Sequence, residues 1–172
     1  TAYTLDQSNP DAVVMLSRSF NLTKELDQRI AYAEKALNLN PSHATANYDY
    51  GLAISNEGKA AQALEFVHKA IELDPSEHKE YEFMLPVLYM AAADGEKAAF
   101  WIKKLYERSG HNRYLGWAAS VEANLGNLTG ASQKLQEFLT LRPEIKTLEH
   151  YEAVTPEIIK HYVLPGLRQV WI

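Results

Sequence analysis

The apolar residues of this chain recur at the spacing of helices, and no stretch shows the period-two alternation of a half-buried strand. Proline-containing turns separate the apolar segments and lie at residues 40–42, 74–76 and 142–143. Ser42 or Ser76 can cap the helix that follows such a turn, and Pro10 and Pro156 suit a first helical position. The pattern predicts helices at residues 10–22, 25–38, 43–57, 60–73, 77–92, 96–108, 112–125, 128–141 and 156–170.

The same residue types return after a fixed interval of 34 positions. A shift of one interval places residues 34–41 on residues 68–75, and a shift of two places Gly58 on Gly126. The other matched pairs are Lys35 with Lys69, Ala36 with Ala70, Leu39 with Leu73, Pro41 with Pro75, Ala63 with Ala131 and Pro75 with Pro143. Such a period predicts repeated helical units that must stack to bury their apolar faces.

Small residues in the second repeat predict a close contact between two helices. Without bulky side chains, two helix backbones can approach each other, and large neighbours then fill the remaining space. The small residues are Gly51, Ala63 and Ala70, and the large ones are Tyr50, Phe66 and Val67.

These residues and their period resemble the tetratricopeptide repeat, a family in which each unit is a pair of antiparallel helices. The resemblance implies an all-α fold, a right-handed α-solenoid of about four helix-turn-helix repeats with a C-terminal capping helix. It assigns a preceding segment or N-terminal extension to residues 1–9, repeats to 10–43, 44–77, 78–111 and 112–145, and the cap to 146–172. The third repeat is degenerate, because Pro86 interrupts its first helix and Gly95 lies three residues later than the period requires.

The C-terminal segment carries a second resemblance, to the repeat region of bacterial multidomain regulators with an adenylate-cyclase or winged-helix DNA-binding domain. It implies the regulatory or sensory part of a larger bacterial signalling or transcription protein. Pro165 is expected to kink or end the last helix. The residues that carry the resemblance are Arg142, Pro143, Pro156, Glu157, Gly166, Leu167 and Arg168.

The amino-acid composition argues against two classes of function, nucleic-acid binding and membrane insertion. Hydrophobic residues make up 47% and charged residues 23% of the 172 residues, as in globular proteins. A formal net charge of −5 argues against nucleic-acid binding, since phosphate backbones attract basic surfaces. Because no apolar run approaches the roughly 20 residues of a membrane span and no signal segment opens the chain, we expect a cytoplasmic protein that binds no membrane.

No motif for catalysis or metal binding is recognisable in the sequence. There are no cysteines, and the six histidines include no pair four residues apart. The segment from Gly126 to Gly130 lacks the lysine of a phosphate-binding loop, and the Asn-Leu-Thr patterns at Asn21 and Asn127 are better interpreted as turns than as glycosylation sites. We therefore expect no enzyme activity, no cofactor and no metal; an enzyme would need a pocket with convergent titratable groups.

In the tetratricopeptide family the first helices of successive repeats line a concave groove for ligands. The resemblance places there Asp11, Val14, Arg18, Asn21, Thr45, Tyr48, Leu52, Ser55, Lys79, Glu82, Pro86, Tyr89, Arg113, Gly116, Ser120 and Ala123. The residues expected to bind a protein or peptide partner are Arg18, Asn21, Tyr48, Leu52, Ser55, Glu82, Tyr89, Arg113 and Ser120. Chaperone-binding members clamp a C-terminal carboxylate with Lys and Asn, which this chain replaces by Val14, Arg18, Tyr48 and Leu52, so no chaperone tail is expected.

Aromatic residues crowd the third and fourth repeats and suggest a second surface. They are Tyr81, Phe83, Tyr89, Phe100, Trp101, Tyr106, Tyr114 and Trp117. Most should be core, and the rest could form a patch for a second copy. The leading hypothesis is a non-catalytic scaffold for protein–protein interaction. The alternatives are a homodimerisation module that aligns output domains, and a solvated groove with no dedicated ligand.

Overall fold

In a computed structural model, the described residues are 6, 8–23, 25–76 and 78–171, without the side chains of 21–23, 78, 157 and 158. Most of the predicted N-terminal extension, residues 1–9, therefore lies outside the described residues. All regular structure in the described ranges is helical, which confirms the predicted all-α, α-solenoid class of helical repeats. The chain divides into two compact units, Thr1–Leu88 and Tyr89–Ile172.

Successive helices of the first unit pack against one another in chain order. These helices are α1 (Pro10–Thr23), α2 (Leu26–Leu39), α3 (Ala44–Ser55), α4 (Ala60–Leu73) and the short α5 (His78–Glu82). A core cluster of Val13, Val14, Ala36 and Ala46 joins α1, α2 and α3, with Tyr32 packed against it.

The predicted close contact in the second repeat is confirmed between α3 and α4. A Cβ atom on Gly51 would lie 2.9 Å from the carbonyl oxygen of Ala63, so only glycine fits there without a shift. Beside this contact, the rings of Tyr50 and Phe66 meet edge to face at 4.8 Å, and Val67 is fully buried. The small residues thus set the helix separation, and the large ones fill the space beside them.

The third repeat departs from the regular pattern. Residues 77–92 were expected to form one helix, but α5 ends at Glu82 and α6 (Leu85–Ala91) begins after a two-residue turn. Pro86 is the second residue of α6, where its missing N–H costs no helical hydrogen bond. The proline interrupts the helix as expected, and the break redirects the side chains that precede it.

In the second unit, α8 is the central helix and contacts α7, α9 and α11. The elements are α7 (Gly95–Ser109), α8 (Arg113–Asn124), α9 (Leu128–Leu141), α10 (Leu148–Val154) and α11 (Glu157–Leu167). The sequence analysis missed α10, whose first turn is capped by Thr147 Oγ1, which accepts from the N–H of His150 at 3.2 Å. Pro165 lies inside α11, and the helix ends two residues later at Leu167.

The cap of α3 differs from the prediction. His43, and not Ser42, caps the helix, because its Nδ1 accepts from the N–H of Ala46 at 3.2 Å. The N–H of Ser42 instead donates to Asn40 Oδ1 at 3.0 Å, which closes an Asx turn one residue earlier. At α1 the expected start at Pro10 is confirmed.

Candidate partner-binding cleft

A cleft of about 390 Å³ lies within the first unit, between α1, α3 and the segment that begins with α5. Arg18 of α1, Thr45 and Tyr48 of α3, and Glu80, Tyr81 and Phe83 line it. Thr45 and Tyr48 are three residues apart and so lie on one face of α3. The cleft is large enough for one or two side chains of a partner.

An ion pair fixes the charged side of the cleft. Arg18 donates through Nε to Asp49 Oδ2 at 2.6 Å; the Asp49 side chain is 5% exposed and the Arg18 side chain 46% exposed. Burial raises the pKa of Asp49, while the hydrogen bond and the charge of Arg18 oppose that rise. The buried carboxylate therefore holds the guanidinium of Arg18 at the edge of the cleft, where part of it faces solvent.

A second guanidinium shares the same carboxylate. Arg29 of α2 is 8% exposed, and its charge also favours the ionised form of Asp49. Burial lowers the pKa of Arg29, and the charge of Asp49 opposes this effect. One buried carboxylate thus lies near two guanidinium groups, and the charges of both favour its ionised form.

Two tyrosines form the aromatic wall of the cleft. The rings of Tyr48 and Tyr81 are 5.0 Å apart at an angle of 44°, and Thr45 Oγ1 lies 3.4 Å from the Tyr81 hydroxyl oxygen. Burial, and then the charge of Asp49, raise the pKa of Tyr48, so its hydroxyl stays protonated at neutral pH. The wall therefore offers neutral rings with hydroxyl groups, a surface suited to apolar or aromatic side chains.

A histidine ties together the two helices that carry Arg18 and Tyr48. His43 Nε2 lies 2.9 Å from Asp11 Oδ1, which joins the start of α3 to α1. Because Nδ1 accepts from the N–H of Ala46, the proton of the neutral ring must lie on Nε2 and be donated to Asp11. Hydrogen bonds at both ring nitrogens therefore fix the orientation of the His43 imidazole.

The structure brings only part of the predicted binding face together. Arg18 and Tyr48 line the cleft with Thr45, and Leu52 lies half-buried one turn further along α3. Others have buried side chains and offer no surface to a partner: Ser55 (5% exposed), Glu82 (4%), Tyr89 (8%) and Ser120 (0%). Arg113 is half-buried and bonded to the ring of His111, and the Asn21 side chain lies outside the described residues.

Three lining residues, Glu80, Tyr81 and Phe83, were not expected in the groove; the two aromatic ones had been identified only as part of the aromatic group of the third and fourth repeats. The regular repeat register placed Lys79, Glu82, Pro86 and Tyr89 in the groove. Because α5 ends at Glu82, the residues that reach the cleft come from a five-residue helix and the turn after it. The signal available in the sequence was Pro86, which marks a break but not the direction of the side chains around it.

On α8 the chain's own C-terminal segment covers two of the predicted groove positions, Gly116 and Ser120. A Cβ atom on Gly116 would lie 3.3 Å from the hydroxyl oxygen of Tyr151, and one on Gly166 of α11 would lie 2.1 Å from the carbonyl oxygen of Ser120. The buried Ser120 Oγ has no hydrogen-bond partner among the described residues. This part of the second unit is therefore closed to a ligand as long as α11 stays in place.

Half of the eight aromatic residues that crowd the third and fourth repeats are core, where most were expected to be. Tyr81, Tyr89, Tyr114 and Trp117 are buried, and the last two meet edge to face at 5.3 Å. Phe100 differs, since it is 62% exposed. Beside it lies the half-buried Trp101, whose ring is covered by Lys104 Nζ at 4.2 Å from the centroid.

The described ranges hold neither a metal-ion cluster nor a membrane-spanning helix. No group of three or more His, Asp or Glu side chains there is placed to hold a metal ion. None of the described helices combines the length and the apolar character that crossing a membrane requires.

Comparison with known proteins identifies the fold. Residues 10–43 match the family model of the tetratricopeptide repeat, and no curated protein is significantly similar to the chain in sequence. One similar solved structure is YrrB, described as a tetratricopeptide-repeat protein with an unusual peptide-binding site; the TM-score is 0.65 at 19% identity, over 80% of this chain and 71% of that chain. Another is MamA from Desulfovibrio magneticus RS-1, with a TM-score of 0.70 at 14% identity, over 80% of this chain and 77% of that chain. A third is TTC0263, a thermophilic tetratricopeptide-repeat protein from Thermus thermophilus, with a TM-score of 0.63 at 15% identity, over 86% of this chain and 80% of that chain. The matched repeat and these similarities together give the chain the fold of tetratricopeptide-repeat proteins.

Proposed function

We propose that this chain is a non-catalytic module that binds a peptide segment of a partner protein in the cleft of the first unit. Proteins of this fold generally mediate protein–protein interactions. The observation that carries the proposal is the composition of the cleft. A half-exposed guanidinium held by a buried carboxylate lies beside a pair of tyrosines. Arginine and tyrosine are the side chains that most often dominate protein interfaces.

The cleft favours a flexible peptide over a rigid protein surface. Its volume of about 390 Å³ accommodates side chains that project from an extended strand, whereas a flat surface could not reach the Tyr48 ring. The side chains that line the cleft are Arg18, Glu80, Phe83 and the hydroxyl-bearing Thr45, Tyr48 and Tyr81, and we propose no catalytic role for them.

The test uses a library of random 12-residue peptides displayed on phage and panned against the whole chain. Peptides should be enriched, and their binding should fall by about tenfold or more in Phe83→Ala, which removes a ring from the cleft. The matched control is Phe100→Ala, which removes an exposed ring from the second unit and should leave binding unchanged. No enrichment, or equal losses in both variants, would reject the cleft as the binding site.

We further propose that the module serves a larger bacterial signalling or transcription protein in the cytoplasm and binds no nucleic acid. The support is the resemblance of the C-terminal residues, Arg142 to Arg168, to such regulators, and the net charge of −5. An antibody raised against the chain should detect a polypeptide well above 19.4 kDa in the cytoplasmic fraction of the source cells. A band near 19.4 kDa, or one in the membrane fraction, would contradict this placement.

A homodimerisation module is the second candidate. The observation in its favour is Phe100, a large apolar side chain that is 62% exposed beside Trp101.

A further inference from the structure

Two carboxylates at the cleft differ in their partners. Asp49 is buried and accepts a hydrogen bond from Arg18 Nε at 2.6 Å, and the charge of Arg29 also favours its ionised form. Glu80 of α5 lines the cleft, is exposed, and forms no hydrogen bond or ion pair with the residues that the structure describes. Since Arg18 already has a counter-charge in Asp49, Glu80 is the charged lining residue with which a ligand can pair.

Glu80 lies near the aromatic wall of the cleft. The wall consists of Tyr48 and Tyr81, whose ring centroids are 5.0 Å apart, and Phe83 adds a third ring to the lining. Burial first, and then the charge of Asp49, raise the pKa of Tyr48, and the charge of Glu80 adds to this rise. The electrostatic field of Glu80 therefore extends to the wall.

A carboxylate near aromatic rings is suited to a basic side chain. The face of an aromatic ring carries partial negative charge and attracts a cation that lies within about 6 Å of its centroid. The aliphatic stem of Lys or Arg can pack on the rings while its charged group reaches the carboxylate. Arginine should gain most, because its planar guanidinium stacks on a ring and binds both oxygens of a carboxylate.

Arg18 limits how basic the ligand can be. Its side chain lines the same cleft and is 46% exposed, so a second cation of the ligand would be repelled by it. An acidic ligand residue would in turn be repelled by Glu80, while the charge of Arg18 is already compensated by Asp49. The lining thus favours one basic residue with apolar neighbours, and the net charge of −5 attracts such a peptide at longer range.

We infer that the peptide bound in this cleft carries one Lys or Arg whose charge pairs with Glu80 and whose side chain packs on the aromatic wall and on Phe83. The inference rests on the proposed function, because it specifies a residue of the peptide that the cleft binds. An N-terminal amine lacks the aliphatic stem that the rings would contact. We therefore assign the positive charge to a side chain within the peptide.

The phage library tests this first, because the enriched peptides should share one Lys or Arg beside apolar residues. An enriched peptide is then synthesised with an acetylated N-terminus and an amidated C-terminus, so that neither chain end is charged. It is made in its basic form and in a form with Gln at the same position. The basic form should bind the wild-type chain about tenfold more tightly by calorimetry, as expected for one ion pair combined with a cation–π contact.

Variants of glutamate locate the effect. Glu80→Gln should abolish the preference for the basic form over the Gln form, and Glu80→Asp should keep part of it. Glu65→Gln is the matched control, because Glu65 is also an exposed helical glutamate of the first unit but does not line the cleft. It removes the same charge and should keep the full preference. Circular dichroism checks that each variant is folded.

The outcomes separate the inference from the proposed function. If Phe83→Ala weakens binding but the basic and Gln forms bind equally, the inference is wrong and peptide binding stands. If the enriched peptides share an acidic residue instead, or if Glu80→Gln keeps the full preference, the inference is again wrong. If Glu80→Gln does not fold, Glu80→Ala replaces it with the same expected loss, and the absence of any enriched peptide overturns both proposals.

Discussion

Ala93 is an alanine at a position where the second and fourth repeats use glycine. Its φ is 58°, and it lies two residues before α7, just as Gly58 and Gly126 lie two residues before α4 and α9 with φ of 78° and 85°. All three donate a turn hydrogen bond to the residue three positions earlier. Gly95 was expected to be the displaced glycine of this turn, but the structural equivalent is Ala93.

We predict that Ala93→Gly stabilises the chain. A residue with a side chain in the left-handed backbone region raises the free energy of the folded state by about 1 kcal/mol, and glycine avoids this cost. Part of the gain is lost because glycine gives the unfolded chain more conformational entropy. The free energy of unfolding, measured with urea, should rise by roughly 0.5 kcal/mol. The control is Ala99→Gly within α7, which should lower it by about 1 kcal/mol. A loss of stability in Ala93→Gly would mean that the turn is not strained.

The cleft shows how far single residues could be predicted. Arg18 and Tyr48 were identified because they lie in regular repeats, where position in the sequence fixes the face of the helix. Asp49, which holds Arg18, went unnoticed, since nothing in the local pattern distinguishes it from an exposed helical acid. Its role depends on an arginine 31 residues away.

At the scale of elements, two glycines allow close helix contacts, and only one was foreseen. Gly51 belongs to a repeat signature, and its contact with Ala63 follows from that signature. Gly166 lies outside the repeats, in α11, where the hypothetical Cβ atom would meet both the carbonyl oxygen and the Oγ of Ser120 on α8. No period links these two positions, so the chain had to be folded before the contact became visible.

Gly166→Ala should therefore displace α11 from α8. The new methyl group would meet backbone atoms, which cannot move aside as a flexible side chain can. We expect the free energy of unfolding to fall by roughly 2 kcal/mol in urea titrations. Gly95→Ala is the matched control, because its methyl group would meet only the end of the Leu125 side chain, and its effect should stay within about 1 kcal/mol. Equal effects of the two variants would contradict the tight contact.

At the scale of the whole molecule, the aromatic residues of the third and fourth repeats offer little exposed surface for self-association. Four of the eight aromatic residues of the third and fourth repeats are buried, and Phe100 is the large exposed ring of the group. A stable dimer buries on the order of 1,200 Å² or more, which one exposed ring does not supply. We therefore expect a monomer of 19.4 kDa by light scattering coupled to size exclusion, at all concentrations.

A dimer that persists on dilution and dissociates in Phe100→Asp would favour the homodimerisation module over the peptide-binding one. A dimer that survives this substitution, and also Trp101→Ala and Tyr106→Ala, would place self-association elsewhere on the chain.

The helical class, the repeat period and most helix bounds followed from the order of residues alone, because helix propensity, proline turns and small–large alternation act over a few neighbouring positions. The break between α5 and α6 was signalled by Pro86, but its effect on the cleft was not. Contacts between residues far apart in sequence decide which side chains line the cleft and which are buried. They also decide which face of α8 is covered by α11. Such contacts are set by packing between helices, and the helical pattern of one segment carries no information about them.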